Sequence, residues 1–226
     1  MLILAIDTSG PAGGITLAEA YEKSFRLIES APIAGGTFSA QLIPTVAALL
    51  GKHGYRATDI GGFAAASGPG SFTGLRVGLS AIKGLAETLH KPIATVSVLE
   101  ALASLTDGAG KIASALDAGR KEVFLGVYER HDQFLRELRE QLLSQSDMAA
   151  VLATEAPSLL VTSDAAIAGL VSTTNGLVKV VPRTGSEAVA RIGARKLFSG
   201  ETVSVEALDA NYLRRSDAEI FFKRTP

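Results

Sequence analysis

Apolar residues come in short blocks, each closed by polar or small turn-formers, and the spacing inside each block names its element. Leu2 to Ile6 is an unbroken apolar run that stops at Asp7-Thr8-Ser9-Gly10, the pattern of a buried strand ending in a polar turn. Gly13 to Glu19 and Lys23 to Ser30 read as two further strands, and the short turns between them predict an antiparallel meander. Leu42, Val46, Leu49 and Leu50 then recur on one helical face. They predict a helix capped by Thr37 or Ser39 and running to about His53. Pro44 suits that helix only near its first turn, because it lacks an N–H donor. A fourth strand, Ile60 to Ala66, runs into the loop Ser67-Gly68-Pro69-Gly70-Ser71-Phe72-Thr73-Gly74. Leu75, Leu79, Ile82, Leu85, Ala86 and Leu89 mark a second helix to about His90, followed by a strand at Ile93 to Val96 and a short helix through Leu105.

After the linker-like Thr106-Asp107-Gly108-Ala109-Gly110 the order restarts. Strands are predicted at Ile112 to Leu116, Glu122 to Tyr128 and Phe134 to Leu142, then a helix near Gln145 to Ala153. Strands at Leu159 to Thr162 and Leu177 to Val181 and a helix at Ser186 to Phe198 complete the chain. Both halves start with an apolar strand ended by an aspartate, Asp7 and Asp117, and both follow the order β-β-β-α-β-α-β-α. The expectation is an α/β protein of two similar lobes, 1–105 and 106–226, whose C-terminal segment packs back on the first.

Composition narrows the chemistry. The chain has 226 residues, no Cys and 47% apolar residues, which suits a folded core and removes disulfides and Cys-based zinc sites. Its 22 cations balance 23 anions, so a strongly basic grip on nucleic acid is not expected. No stretch reaches the roughly 18 uncharged apolar residues that span a bilayer, and no basic leader precedes the first strand. A cytoplasmic protein without membrane contact is expected.

The loop after the fourth strand supports two readings. Three glycines between a strand and a helix can offer backbone N–H groups to a phosphate, with Asp7, Gly68, Gly70, Ser71, Gly74 and Asp117 as candidate contacts. The same glycines can simply let a helix pack tightly on a sheet. The Lys-Ser/Thr of a P-loop is missing. His53, His90 and His131 are scattered without i,i+4 pairing, and Ser67, Ser71 and Ser80 have neither a nearby His nor a GxSxG context. An enzymatic reading, a nucleotide-dependent phosphotransferase or ATPase built on Asp7, Asp117 and the Gly loop, lacks a general base and metal ligands. The second helix, by contrast, carries only Arg76, Lys83 and Glu87 as charges, and Gly74, Gly78, Ala81 and Gly84 keep its surface small. Such a helix is either deeply buried or a contact surface.

The stretch Ser67-Gly68-Pro69-Gly70-Ser71-Phe72-Thr73-Gly74-Leu75-Arg76-Val77-Gly78, with Ile3-Leu4-Ala5-Ile6-Asp7-Thr8-Ser9, closely resembles the TsaB (YeaZ) family. The likeness continues through Ala81 to Ala86, Pro92 to Leu102, Leu116-Asp117-Ala118 and Tyr212-Leu213-Arg214. It implies two RNase-H-like lobes of the actin/Hsp70/sugar-kinase-like class. It also implies a non-catalytic subunit of the bacterial complex that adds threonylcarbamoyl to the adenosine next to the anticodon in tRNAs reading ANN codons. The implied partners are TsaD, the catalytic paralogue, and TsaE, an ATPase. Self-pairing is implied in their absence, and tRNA is reached only through the complex. No cofactor is implied for this chain, while ATP and a divalent metal are expected in the partner subunits. At the paralogue's metal-binding histidines this sequence places Val98 and Leu102, neither of which ligates a cation. Phe38 stands before Ser39 where many relatives have His; Gly119 and Ala210 replace the family's Arg and Pro. The implied contact with TsaD runs through both N-lobe helices. We place it at Leu42, Thr45, Val46 and Leu49 in the first, and at Arg76, Val77, Ser80, Ala81 and Gly84 in the second.

Overall fold

The computed structural model describes residues 1–132, 134–171, 177–183 and 185–213. The chain divides into two compact units. The first joins Met1–Ala101 to Thr184–Ala210, and the second is built chiefly from Leu102–Arg183.

The first unit opens with β1 (Leu2–Asp7), β2 (Ala12–Tyr21) and β3 (Ser24–Ala34), followed by α1 (Phe38–Lys52) and β4 (Ile60–Gly68). Then come α2 (Phe72–Leu89), β5 (Ile93–Ser97) and α3 (Val98–Ala103). Its sheet has the order β3-β2-β1-β4-β5, antiparallel across β1–β2 and β2–β3 and parallel across β1–β4 and β4–β5. The second unit repeats this plan with β6 (Lys111–Gly119), β7 (Glu122–His131), β8 (Phe134–Ser144), α4 (Gln145–Glu155), β9 (Leu159–Thr162), α5 (Ala165–Val171) and β10 (Leu177–Val180). Its sheet order is β10-β9-β6-β7-β8, the mirror listing of the first. Each unit is thus an RNase-H-like α/β lobe, and the chain has the actin/Hsp70/sugar-kinase-like class of fold.

The physical reason for the apolar run of β1 is now visible. All six of its residues are buried, because helices cover both faces of the first sheet. Gly62 and Ala64 of β4 face the last helix, α6 (Ser186–Ser199), at Leu197 and Gly193. On the other face, Ile6, in register with Ala65, lies against Gly78 of α2. Burying each large aliphatic side chain here contributes about 1.5–3 kcal/mol. A buried ion pair adds to α6's seat: Lys196 Nζ meets Glu100 Oε2 of α3 at 2.7 Å and donates to the Thr95 carbonyl at 3.2 Å. The core of the second unit gathers Ala113, Val123, Leu125, Val127, Leu160 and Ile167 under Met148 of α4.

α5, seven residues long, fills the helix position that the repeated element order has between β9 and β10 but to which the periodicity assigns no residues. Pro44 sits inside α1, past its first turn, on the exposed side of the helix. The closing helix, whose residues fall within 106–226, belongs to the first unit. No helix among the described residues is long and apolar enough to cross a membrane. Of the family-like Tyr212-Leu213-Arg214, Arg214 lies outside the described residues.

Candidate functional site

Parallel pairing of β1 with β4 brings their C-terminal ends side by side, which gathers Asp7, Gly68, Gly70, Ser71 and Gly74 from the candidate loop. Asp117 belongs to the second unit. Asp7 is buried, and its Oδ1 accepts from the Ser9 N–H at 2.9 Å, a turn closed by its own side chain. Gly68 adopts φ 116°, a conformation that a side chain would make strained. The remaining glycines are filled from within. A Cβ on Gly70 would lie 2.3 Å from the Ser9 carbonyl oxygen, and one on Gly74 would lie 2.1 Å from that of Thr8. The Thr8 hydroxyl donates to the Gly74 carbonyl at 2.7 Å, and Ser71 N–H donates to the Ser9 carbonyl at 2.8 Å. Ser71 caps α2 by accepting from the Gly74 N–H at 3.2 Å. Two of the N–H groups that a phosphate would use are therefore engaged. The loop's glycines serve close packing of the β1 turn on the start of α2.

In the second unit Asp117 is exposed; its N–H donates to Asp164 Oδ2 at 2.8 Å, and its Oδ1 accepts from Gly119 N–H at 2.9 Å. Both aspartates thus shape the turns that end their strands. Among the described residues, no group of three or more His, Cys, Asp or Glu side chains is placed to hold a metal ion. Val98 and Leu102 of α3 are both buried.

An open groove lies instead between α1 and α2. Its volume is ≈490 Å³. Phe38, Ser39, Leu42 and Ile43 of α1 form one wall; Phe72, Thr73, Arg76, Val77, Ser80 and Ala81 of α2 form the other. The Arg76 guanidinium stacks over the Phe72 ring, 3.9 Å from its centroid, so the cation is held against an apolar lip. Ile43 and Phe72 are the large apolar side chains open to solvent here, 49% and 37% exposed.

The expected partner surface splits between the two helices. On α2, Arg76, Ser80 and Gly84 are exposed and Val77 and Ala81 half-buried, so these positions lie on the outward side of the helix. Arg76, Val77, Ser80 and Ala81 line the groove, and Gly84 continues the same face further along. On α1 the expectation is corrected. Leu42, Val46 and Leu49 are buried at 1%, 5% and 4% exposure, and Thr45 is half-buried. The apolar stripe that identifies the helix is the stripe that packs inward on β2, β3 and α2, leaving only Leu42 at the groove floor. The groove is also lined by Phe38, Ser39, Ile43, Phe72 and Thr73, which the expected surface leaves out. Ile43 and Phe72 carried a usable signal, being large apolar side chains off the inward stripe.

The acidic groups around α1 hold it in place. Glu29 of β3 accepts from Lys52 Nζ at 2.8 Å and pairs with His53 Nε2 at 2.7 Å, which ties the end of α1 to the sheet. The Lys52 hydrogen bond, then that of His53, lowers the Glu29 pKa below the usual carboxylate value.

Comparison with known proteins agrees with this architecture. The family model for TsaD, tRNA N6-adenosine threonylcarbamoyltransferase, matches residues 32–217. The tRNA threonylcarbamoyladenosine biosynthesis protein TsaB of Bacillus subtilis is 35% identical over 141 residues, covering 61% of this chain and 59% of that protein. The Escherichia coli protein of the same name is 33% identical over 137 residues, covering 58% and 57%. The chain thus spans under three fifths of these curated relatives. Among solved structures, YeaZ from Pseudomonas aeruginosa is 25% identical, with a TM-score of 0.78 over 93% of this chain and 99% of that one. A second solved chain, described as similar to the peptidase YeaZ from that organism, reaches 26% identity and a TM-score of 0.80. This chain belongs to the family that the threonylcarbamoyltransferase model describes and, within it, to the TsaB/YeaZ group.

Proposed function

We propose that this chain is a non-catalytic scaffold subunit in tRNA threonylcarbamoyladenosine biosynthesis, which binds TsaD through the α1–α2 groove and holds it in a form able to transfer the threonylcarbamoyl group. The observation that carries this reading is a contrast within one unit. The groove between α1 and α2 is open and lined by apolar side chains at Ile43, Phe72 and Val77, while Thr8 and Ser9 pack against the glycines of the loop. Burying apolar groove surface against a partner helix supplies the association energy, and the hydroxyls of Ser39, Thr73 and Ser80 need only modest rearrangement. A face of standard size would bury about 1,600 Å² in total. In this reading TsaE joins through the assembly, and ATP and the divalent metal belong to the partner subunits. tRNA is also met through the complex, since 22 cations against 23 anions give this chain no net attraction for a polyanion.

The test is reconstitution. Purified TsaD, TsaE, tRNA and the threonylcarbamoyl donor are combined with and without this chain, and modified adenosine is counted. The expected result is modification that requires the chain. Full-rate modification in its absence overturns the scaffold reading. Turnover of ATP by the chain alone, lost in Asp7→Asn, establishes the enzymatic alternative.

A further inference from the structure

The second sheet turns Val123, Leu125 and Val127 of β7 toward Met148 of α4, so the alternate residues Glu122, Phe124, Gly126 and Tyr128 share its other face. The β7–β8 register sets Ser144, Leu142 and Glu140 opposite the first three of these. Along the strands this face therefore runs from Glu122, through the apolar pair Phe124 and Leu142, to Glu140. Phe124 and Leu142 are both half-buried. At the Glu140 end the late part of the chain arrives. Asn211, which belongs to the second unit, donates from Nδ2 to Glu140 Oε2 at 3.0 Å, and the buried Tyr128 donates its hydroxyl to Oε1. Both of these donors are neutral. Leu213 is the last described residue, and residues 214–226 follow it. They begin with Arg214-Arg215, reach Ile220-Phe221-Phe222, and continue with Lys223-Arg224. Base, apolar, base in the segment is the complement of acid, apolar, acid on the sheet face.

We propose that residues 214–224 dock on this face of β7 and β8, with Arg214 and Arg215 at Glu140, Ile220, Phe221 and Phe222 on Phe124 and Leu142, and Lys223 and Arg224 at Glu122. The place where the chain leaves and the order of its charges choose this occupant. Asn211 already sits at Glu140, so Arg214 and Arg215 enter beside that carboxylate. Residues 214–219, between Leu213 and Ile220, reach up to roughly 20 Å. Leu142 lies two residues along β8 from Glu140, a step of about 7 Å, so the segment arrives with slack for a turn. Three consecutive large apolar side chains gain by leaving water for an apolar surface, and the acids on either side of that surface set the direction of the segment. Tethering makes the docking intramolecular, so a surface too small to hold a separate partner suffices. The proposal is independent of the α1–α2 groove.

Because the sequence holds no Cys, cross-linking of introduced pairs tests the docking in the full chain. L142C with F222C is expected to form an intramolecular disulfide roughly tenfold faster under mild oxidation than A149C with F222C, since Ala149 is exposed on α4, on the opposite side of the sheet. Mass spectrometry of the digested chain reads both. Equal rates overturn the docking, and so does a disulfide that joins two molecules, which assigns the segment to a second copy. E122K added to the L142C and F222C chain is expected to slow the reaction several-fold at low salt, and an unchanged rate overturns the assigned direction. F221D with F222D tests the same contact while leaving the sheet residues unaltered. Amide exchange along β8 is expected to quicken several-fold in that variant, and exchange at the wild-type rate overturns the proposal.

Discussion

The packing of the β1 turn against α2 yields a prediction of opposite signs for one chemical change. Gly74→Ala and Gly84→Ala lie in the same helix and add the same methyl group. At Gly84 that methyl meets nothing within 4 Å, so only helix propensity acts, and the variant is expected to gain about 0.8–1.0 kcal/mol. At Gly74 the methyl would sit 2.1 Å from the Thr8 carbonyl oxygen, whereas real Cβ contacts stay beyond 3.0 Å. Backbone faces backbone at this point, so no rotamer change relieves the overlap. α2 must retreat from β1 by about an ångström, which strains the Thr8 hydroxyl bond to the Gly74 carbonyl and the Ser71 N–H bond to the Ser9 carbonyl. Overpacking of this kind costs about 1–3 kcal/mol and each weakened hydrogen bond up to about 1 kcal/mol. After the propensity gain, Gly74→Ala is expected to be about 1–3 kcal/mol less stable than the parent. Urea unfolding followed by circular dichroism measures both, with the midpoint compared at constant slope. Equal stabilisation by the two substitutions would refute the argument that these glycines exist to admit Thr8 and Ser9.

Other expectations follow from the same contacts. Ser80→Arg adds a long charged side chain to the outward face of α2 and should abolish co-purification with TsaD while the circular dichroism spectrum is unchanged; retained pairing would remove this face from the contact. Glu100→Ala leaves Lys196 of α6 without its carboxylate in a largely buried place, at an expected cost of about 2–4 kcal/mol in urea unfolding, and a loss below about 0.5 kcal/mol would show the pair to be inert. Glu29, Glu19 and Glu155 all have pKa values lowered by cationic hydrogen-bond donors, first among them Lys52, Arg26 and Lys111. A carboxylate lowered in the folded state stabilises it above the unfolded value, near 4.3, and that contribution disappears as pH falls through the folded value. Stability carried by these groups should therefore be level from pH 7 to about 5 and decline below about 4.3. Glu29→Gln should make that decline shallower; an unchanged acid profile would show that the Lys52–His53 anchor contributes nothing.

What the sequence determined by itself is the order and kind of nearly every element, because apolar period and turn residues act locally. The run Leu2 to Ile6, the spacing of Leu75, Leu79, Ile82 and Ala86, and the repeat of a strand ended by Asp7 or Asp117 needed no tertiary information. The GPGSFTGLR stretch, Gly68 to Arg76, also marked the place where β1, β4 and α2 meet. Tertiary structure decided what these elements face. Periodicity shows that Leu42, Val46 and Leu49 share one side of α1, but a core contact and a partner contact are equally apolar, and only the position of the sheet shows that this side is inward. The glycines of the loop read equally as a phosphate cradle or as a packing device in the sequence, and only the structure brings Thr8 and Ser9 against them. The residues that seat α6 on the first unit were hidden for a related reason, since Gly193 against Ala64 is a contact across 129 positions that no local pattern encodes.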